Sequence, residues 1–110
     1  MLVVTIDQAL GEHLRECLEE RGRFGVRTTG DQATAVSWVQ ELNCSLAFLD
    51  AGTEEQAMLE IGQALRRVNP EMRFIVVSEV GWHSKLEKLF PLYYLSKPFD
   101  RNDLLKMLDN

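Results

Sequence analysis

Neither a GxGxxG nor a GxxxxGK[ST] loop occurs in the 110 residues, so the glycine-rich backbone cradle for dinucleotide or triphosphate phosphates is missing. Cysteine is scarce. Cys17 and Cys44 stand far apart, without CxxC or ligand-like spacing, and read as small core residues in a reducing compartment. His13 and His83 are isolated and read as structural or surface residues. No apolar run approaches the roughly 18 residues that cross a membrane. The N-terminal run Leu2–Ile6 has no basic segment before it and stops at Asp7, so it reads as a strand rather than a leader. Positive charge is also short, with 12 Lys and Arg against 17 Asp and Glu for a net charge of −5. That balance excludes a general nucleic-acid binder, which needs a basic stripe to face phosphates. These absences leave a cytoplasmic domain with neither nucleic acid nor membrane as its partner.

The chain length suits one domain over 1–110, either self-contained or cut from a longer chain. A hydrophobic content of 45% with 26% charged residues is that of an ordinary globule. Leu2–Ile6, Phe24–Thr29, Leu46–Leu49, Phe74–Val77 and Leu92–Leu95 are short apolar runs that read as strands. Between them lie helical stripes. Leu10, Leu14, Cys17 and Leu18 follow a cap at Asp7 and end at Gly22; Val36, Val39 and Leu42 follow Gly30 and Asp31. Met58, Ile61, Leu65 and Val68 follow Thr53-Glu54-Glu55-Gln56, which fits a capping box. A short helix is expected around Ser84–Phe90, and a last one, capped by Asp100, carries Leu104, Leu105 and Leu108.

Strand and helix alternating five times predict an α/β fold: a doubly wound parallel sheet with helices on both faces and right-handed crossovers. Sites in such sheets lie beyond the carboxyl ends of the strands. Those ends offer Asp7, Asp50, Ser78 and Lys97.

The five-fold order, Asp50 after strand three, Ser78 after strand four and Ser96-Lys97-Pro98-Phe99 after strand five together resemble the receiver domain of response regulators. The resemblance covers essentially the whole chain. It implies a flavodoxin-like, CheY-like fold with strand order 2-1-3-4-5. It also implies a role in two-component signalling rather than as an enzyme, with a histidine kinase or another signalling protein as partner and a homodimer as one form. By the same resemblance Asp50 matches the phosphoacceptor, Ser78 the switch hydroxyl and Lys97 the phosphoryl-binding lysine. Tyr94 matches the aromatic that couples the site to the partner surface. Gly52 matches the carbonyl that joins Asp50 and acids after strand one in holding Mg²⁺. Lys97-Pro98 matches a peptide bond that is commonly cis.

Two departures bear on that chemistry. Thr5 and Ile6 stand where receivers carry an acid pair, leaving Asp7 on the third position; an alternative register puts Asp7 on the second acid. Mg²⁺ wants carboxylate oxygens in octahedral geometry, so its binding is expected to be weak or lost. Glu79 stands where receivers favour Ala or Gly. A carboxylate about 5 Å from a phosphoryl group costs about 3 kcal/mol per charge at an effective dielectric of 20, and less if it turns to solvent. The segment Val80–Pro91 is short, and Trp82, Phe90, Tyr93 and Tyr94 cluster in and beyond it. The expectation is a degenerate receiver, a pseudo-receiver kept as a protein-interaction module; the alternative is a working phosphoacceptor at Asp50.

Overall fold

The computed structural model describes residues 1–20, 25–52, 54–79 and 85–108. Strands β1 (Leu2–Val4), β2 (Arg27–Thr29), β3 (Leu46–Asp50), β4 (Arg73–Ser78) and β5 (Tyr93–Ser96) form one sheet in the order β2-β1-β3-β4-β5. All the ladders are parallel, as the alternation of apolar strands with amphipathic helices predicts. Helices α1 (Gln8–Glu20), α2 (Gln32–Leu42), α3 (Glu55–Val68) and α4 (Arg101–Leu108) supply the crossovers and the C-terminal cover.

Alternate strand residues face opposite layers, and both layers are filled. Leu2, Val4, Ala47, Leu49, Phe74 and Val76 pack with α2 and α3 residues such as Val39, Met58 and Leu65. Val3, Phe48, Ile75, Val77 and Leu95 pack with Leu14 and Leu18 of α1 and Leu104 and Met107 of α4. Burial on both faces explains why the central strands read as continuous apolar runs instead of alternating ones.

Several local readings shift. The second strand joins the ladder only at Arg27; Val26 is buried but unpaired in the sheet, and Phe24 lies outside the described residues, as does Gly22. Leu42, expected on the buried stripe of α2, is exposed at the helix end. Glu54 holds the cap position of α3 without a side-chain cap bond. Gln56 donates to Glu60, and Thr53, the other half of the expected capping box, lies outside the described residues. The expected fourth helix is a 3₁₀ turn, Leu86–Leu89; Ser84, His83 and Trp82 lie outside the described residues. Asp31 and Asp100 do cap their helices. Asp31 accepts from the Thr34 N–H. Asp100 and Asp103 each accept the other's backbone N–H, the reciprocal arrangement of a capping box.

The 3₁₀ turn is fastened to α3. Glu55 accepts from the Lys85 N–H at 3.0 Å. Arg66 donates to the carbonyls of Leu89 and Met72 and lies over the Phe74 ring. Gly62 permits the close approach, because a Cβ there would lie 2.5 Å from Leu89 Cδ1. Gly62→Ala therefore sets a helix-propensity gain of about 1 kcal/mol against about 2 kcal/mol of overpacking around buried Leu89. A net loss of about 1 kcal/mol is expected in urea unfolding. An unchanged or raised midpoint would show that the turn is free to move away.

Candidate functional site

The carboxyl ends of β1, β3, β4 and β5 converge because the strands are parallel and in register. Val4 pairs with Leu49 and Asp50 with Val77, while Ser78 pairs with Ser96. Thr5, Asp50, Ser78 and Lys97 thus follow one another across a single edge of the sheet.

Asp50 is buried at the end of β3 and both its oxygens are engaged. Lys97 Nζ donates to Oδ1 at 2.8 Å, and the Gly52 N–H donates to the same oxygen at 2.9 Å. Thr5 Oγ1 donates to Oδ2 at 2.6 Å in a buried bond. Burial by itself pushes the pKa of the Asp50 carboxyl up, yet that pKa lies below the usual carboxylate range. The hydrogen bonds from Lys97 and Thr5, the Lys97 charge and the Gly52 N–H together outweigh burial. Gly52 cannot carry a side chain without disturbance, since a Cβ would sit 2.9 Å from Lys97 Nζ and 3.1 Å from Asp50 Oδ1.

Ser78 is fully buried at the end of β4, and its carbonyl accepts from the Lys97 N–H at 2.8 Å. The peptide after Lys97 is cis to Pro98. Tyr94 lies half-buried against the α2–α3 side of the core, its hydroxyl donating to Glu87 in the 3₁₀ turn at 3.1 Å. Asp7 joins this group only through its backbone, its N–H donating to Thr5 Oγ1 at 3.0 Å, while its carboxylate is engaged elsewhere. It is exposed, and its Oδ1 accepts from the N–H groups of Ala9 and Leu10 at the start of α1. Ile6 is 68% exposed and covers Gly30. Glu79 is exposed at the rim.

The donor set does not suit a divalent cation. Among the described residues no three His, Cys, Asp or Glu side chains gather where they could hold a metal. Asp50 already spends its oxygens on an ammonium, a hydroxyl and an amide, and Thr5 presents its hydroxyl as a donor. A hard cation wants several carboxylate oxygens free to coordinate.

Residue types alone place Asp50, Ser78, Lys97 and Gly52 at this edge, but they miss the part Thr5 plays. A signal was present: with β1 beside β3, the residue after Val4 must face the residue after Leu49. Arg66 and Gly62, which fasten the 3₁₀ turn, also escaped notice, since a helical Arg and a helical Gly carry no pattern of their own.

Comparison with known proteins agrees with this architecture. The response regulator receiver domain family matches residues 1–109. The chain is 31% identical over 111 residues to the photosynthetic apparatus regulatory protein RegA of Rhodobacter capsulatus, covering 98% of this chain and 60% of that protein. It is 28% identical over 112 residues to the DNA-binding transcriptional regulator NtrC of Azospirillum brasilense, covering 99% of this chain and 23% of that one. The chain therefore spans only part of either relative. Among solved structures, the chemotaxis protein CheY4 of Vibrio cholerae superposes with a TM-score of 0.83 at 18% identity, over 98% of this chain and 93% of CheY4. The beryllofluoride-activated NtrC4 receiver domain dimer gives a TM-score of 0.78 at 22% identity, over 98% and 92% of the two chains. At these identities the structural likeness speaks for the fold.

Proposed function

Because the chain belongs to the response regulator receiver domain family, we propose that it is a two-component signalling module in which Asp50 is held in a finished hydrogen-bonded state and regulation runs through protein contacts. The observation that carries this reading is the buried Thr5–Asp50 bond of 2.6 Å. Phosphoryl transfer to a carboxylate asks for little covalent help but much positioning and charge neutralisation. The acceptor oxygen must be available, and the incoming charge must be matched. Thr5 occupies one oxygen and supplies no charge, while Lys97 is already committed to the other. In this reading Asp50, Ser78, Lys97 and Gly52 keep the receiver framework, Tyr94 is tied to Glu87, and Asp7 serves α1.

A contact surface is available beside the edge strand. Phe90 is 81% exposed and Leu92 57% exposed, next to Tyr93 at the start of β5. Phe90 closes the 3₁₀ turn in the left-handed region, with φ of 50° and its N–H donating to the Glu87 carbonyl at 3.0 Å. Exposed aromatic side chains are favoured interface anchors. The partner in this reading is a histidine kinase or another signalling protein in the cytoplasm, with a second copy of the chain as the homodimeric form.

The phosphoaccepting reading draws on the convergence of Asp50, Ser78 and Lys97 at one edge. Acetyl phosphate with Mg²⁺, followed by intact-protein mass spectrometry, separates the two. The expected result is under about 5% of the chain gaining a phosphoryl mass, since charge neutralisation is the missing term. Stoichiometric labelling that disappears in Asp50→Asn would overturn the proposal in favour of the phosphoacceptor.

A further inference from the structure

An open cleft of about 560 Å³ lies between α1 and the β5–α4 loop, lined by Leu10, His13, Glu79, Lys97, Pro98 and Phe99. Its size falls in the range of small-ligand sites, roughly 300–1,000 Å³. The walls are anchored, because Leu10 and Phe99 both pack against the core cluster under α1 and α4. The His13 and Phe99 rings lie 5.4 Å apart and tilted by 34°, so the cleft has a firm aromatic side.

Its charges are unequal. Lys97 lines the cleft, but its ammonium is matched by Asp50 at 2.8 Å. Glu79 is exposed, and among the described residues it has neither an ion-pair nor a hydrogen-bond partner. The cleft thus presents one unmatched carboxylate beside aromatic and aliphatic walls. An anionic occupant would be repelled by Glu79 and would compete with Asp50 for Lys97. A flat cation meets the opposite situation: charge-assisted hydrogen bonds to Glu79 and favourable contact with the face of Phe99.

We infer that this cleft is a binding site for a small planar organic cation, an amidine- or amine-bearing ring, with its charge on Glu79 and its ring between Phe99 and Leu10. The site does not depend on whether Asp50 accepts a phosphoryl group. Its position gives it a route to the Asp50 site, since Lys97 belongs to both.

Benzamidine is the probe, titrated into the ¹⁵N-labelled protein at neutral pH and low salt and followed by amide chemical shifts. A fragment of this size is expected to saturate with a Kd of about 1 mM, with shifts centred on Leu10, His13, Glu79 and Phe99. Benzamide, neutral, and benzoate, anionic, are expected to bind at least about tenfold more weakly. Glu79→Gln changes an exposed residue, and its amide spectrum reports directly that the fold is kept. That variant should weaken benzamidine at least about fivefold. The inference is overturned if benzamidine gives no saturable shifts at these residues, if benzoate or benzamide matches it, or if Glu79→Gln leaves its Kd unchanged.

Discussion

Lys97→Ala is expected to lower the melting temperature by about 12 °C at neutral pH, from a loss of about 3 kcal/mol at roughly 4 °C per kcal/mol. The size follows from what is left behind. Asp50 is buried, and without Lys97 its charge would keep the Thr5 hydroxyl and the Gly52 N–H but lose the ammonium. Breaking one side of a buried ion pair typically costs about 3–5 kcal/mol; the lower figure applies because the Lys97 side chain is 21% exposed and water can enter behind it. The pH dependence identifies the cause. Asp50 has a folded pKa below its unfolded value, so its stabilising contribution is present above the unfolded value of about 3.9 and lost as pH falls through the folded one. The gap between wild type and Lys97→Ala should therefore close as the medium is acidified below about pH 4. Adding Asp50→Asn to Lys97→Ala should recover about 1 kcal/mol or more, since the stranded charge is removed. Thermal melts across pH measure all three. A loss no greater than that of the exposed Lys106→Ala, or a gap that persists in acid, would show that the pair does not stabilise the fold.

The double change Thr5→Asp, Ile6→Asp is expected to convert the site to a cation-dependent one. Thr5 Oγ1 sits 2.6 Å from Asp50 Oδ2, so an aspartate at position 5 sets two carboxylates about 4 Å apart, a repulsion of about 4 kcal/mol at an effective dielectric of 20. Without a divalent ion the variant should melt well below wild type. With Mg²⁺ at about one hundred times its dissociation constant, linkage returns about 2.7 kcal/mol, or about 10 °C. Wild type, lacking the carboxylates, should show no Mg²⁺ shift in its melting temperature. The same variant should take up a phosphoryl group from acetyl phosphate with Mg²⁺, rising from under about 5% to tens of per cent, because the missing neutralisation has been supplied. Ile6→Asp alone should do little, as it leaves the Thr5–Asp50 bond in place. A double variant indifferent to Mg²⁺ and unlabelled would locate the obstacle elsewhere. Glu79 at the rim would then be the next residue to change.

The doubly wound sheet and the gathering of Asp50, Ser78 and Lys97 at one edge were legible in the residues, and the strand order in their resemblance to receiver domains. Apolar periodicity, helix caps such as Asp7, Asp31 and Asp100, and the handedness of crossovers are local or chiral effects, so they act through neighbouring residues and general topology rules. The tertiary structure alone decided how those edge residues use their atoms. Thr5 and Asp50 are 45 positions apart in sequence, and only the pairing of β1 with β3 makes the threonine hydroxyl a donor to the carboxylate rather than a failed metal ligand. Glu79 was legible as a carboxylate out of place, but its exposure depends on the packing of neighbouring elements. The 3₁₀ turn in place of a fourth helix is likewise a tertiary outcome. Its few residues cannot hold a helix by propensity, and its conformation follows from Arg66, Glu55 and the space over Gly62 on a helix that precedes it in the chain. Side-chain contacts between distant segments depend on register, rotamer and burial together, and these take definite values only once the layers have packed.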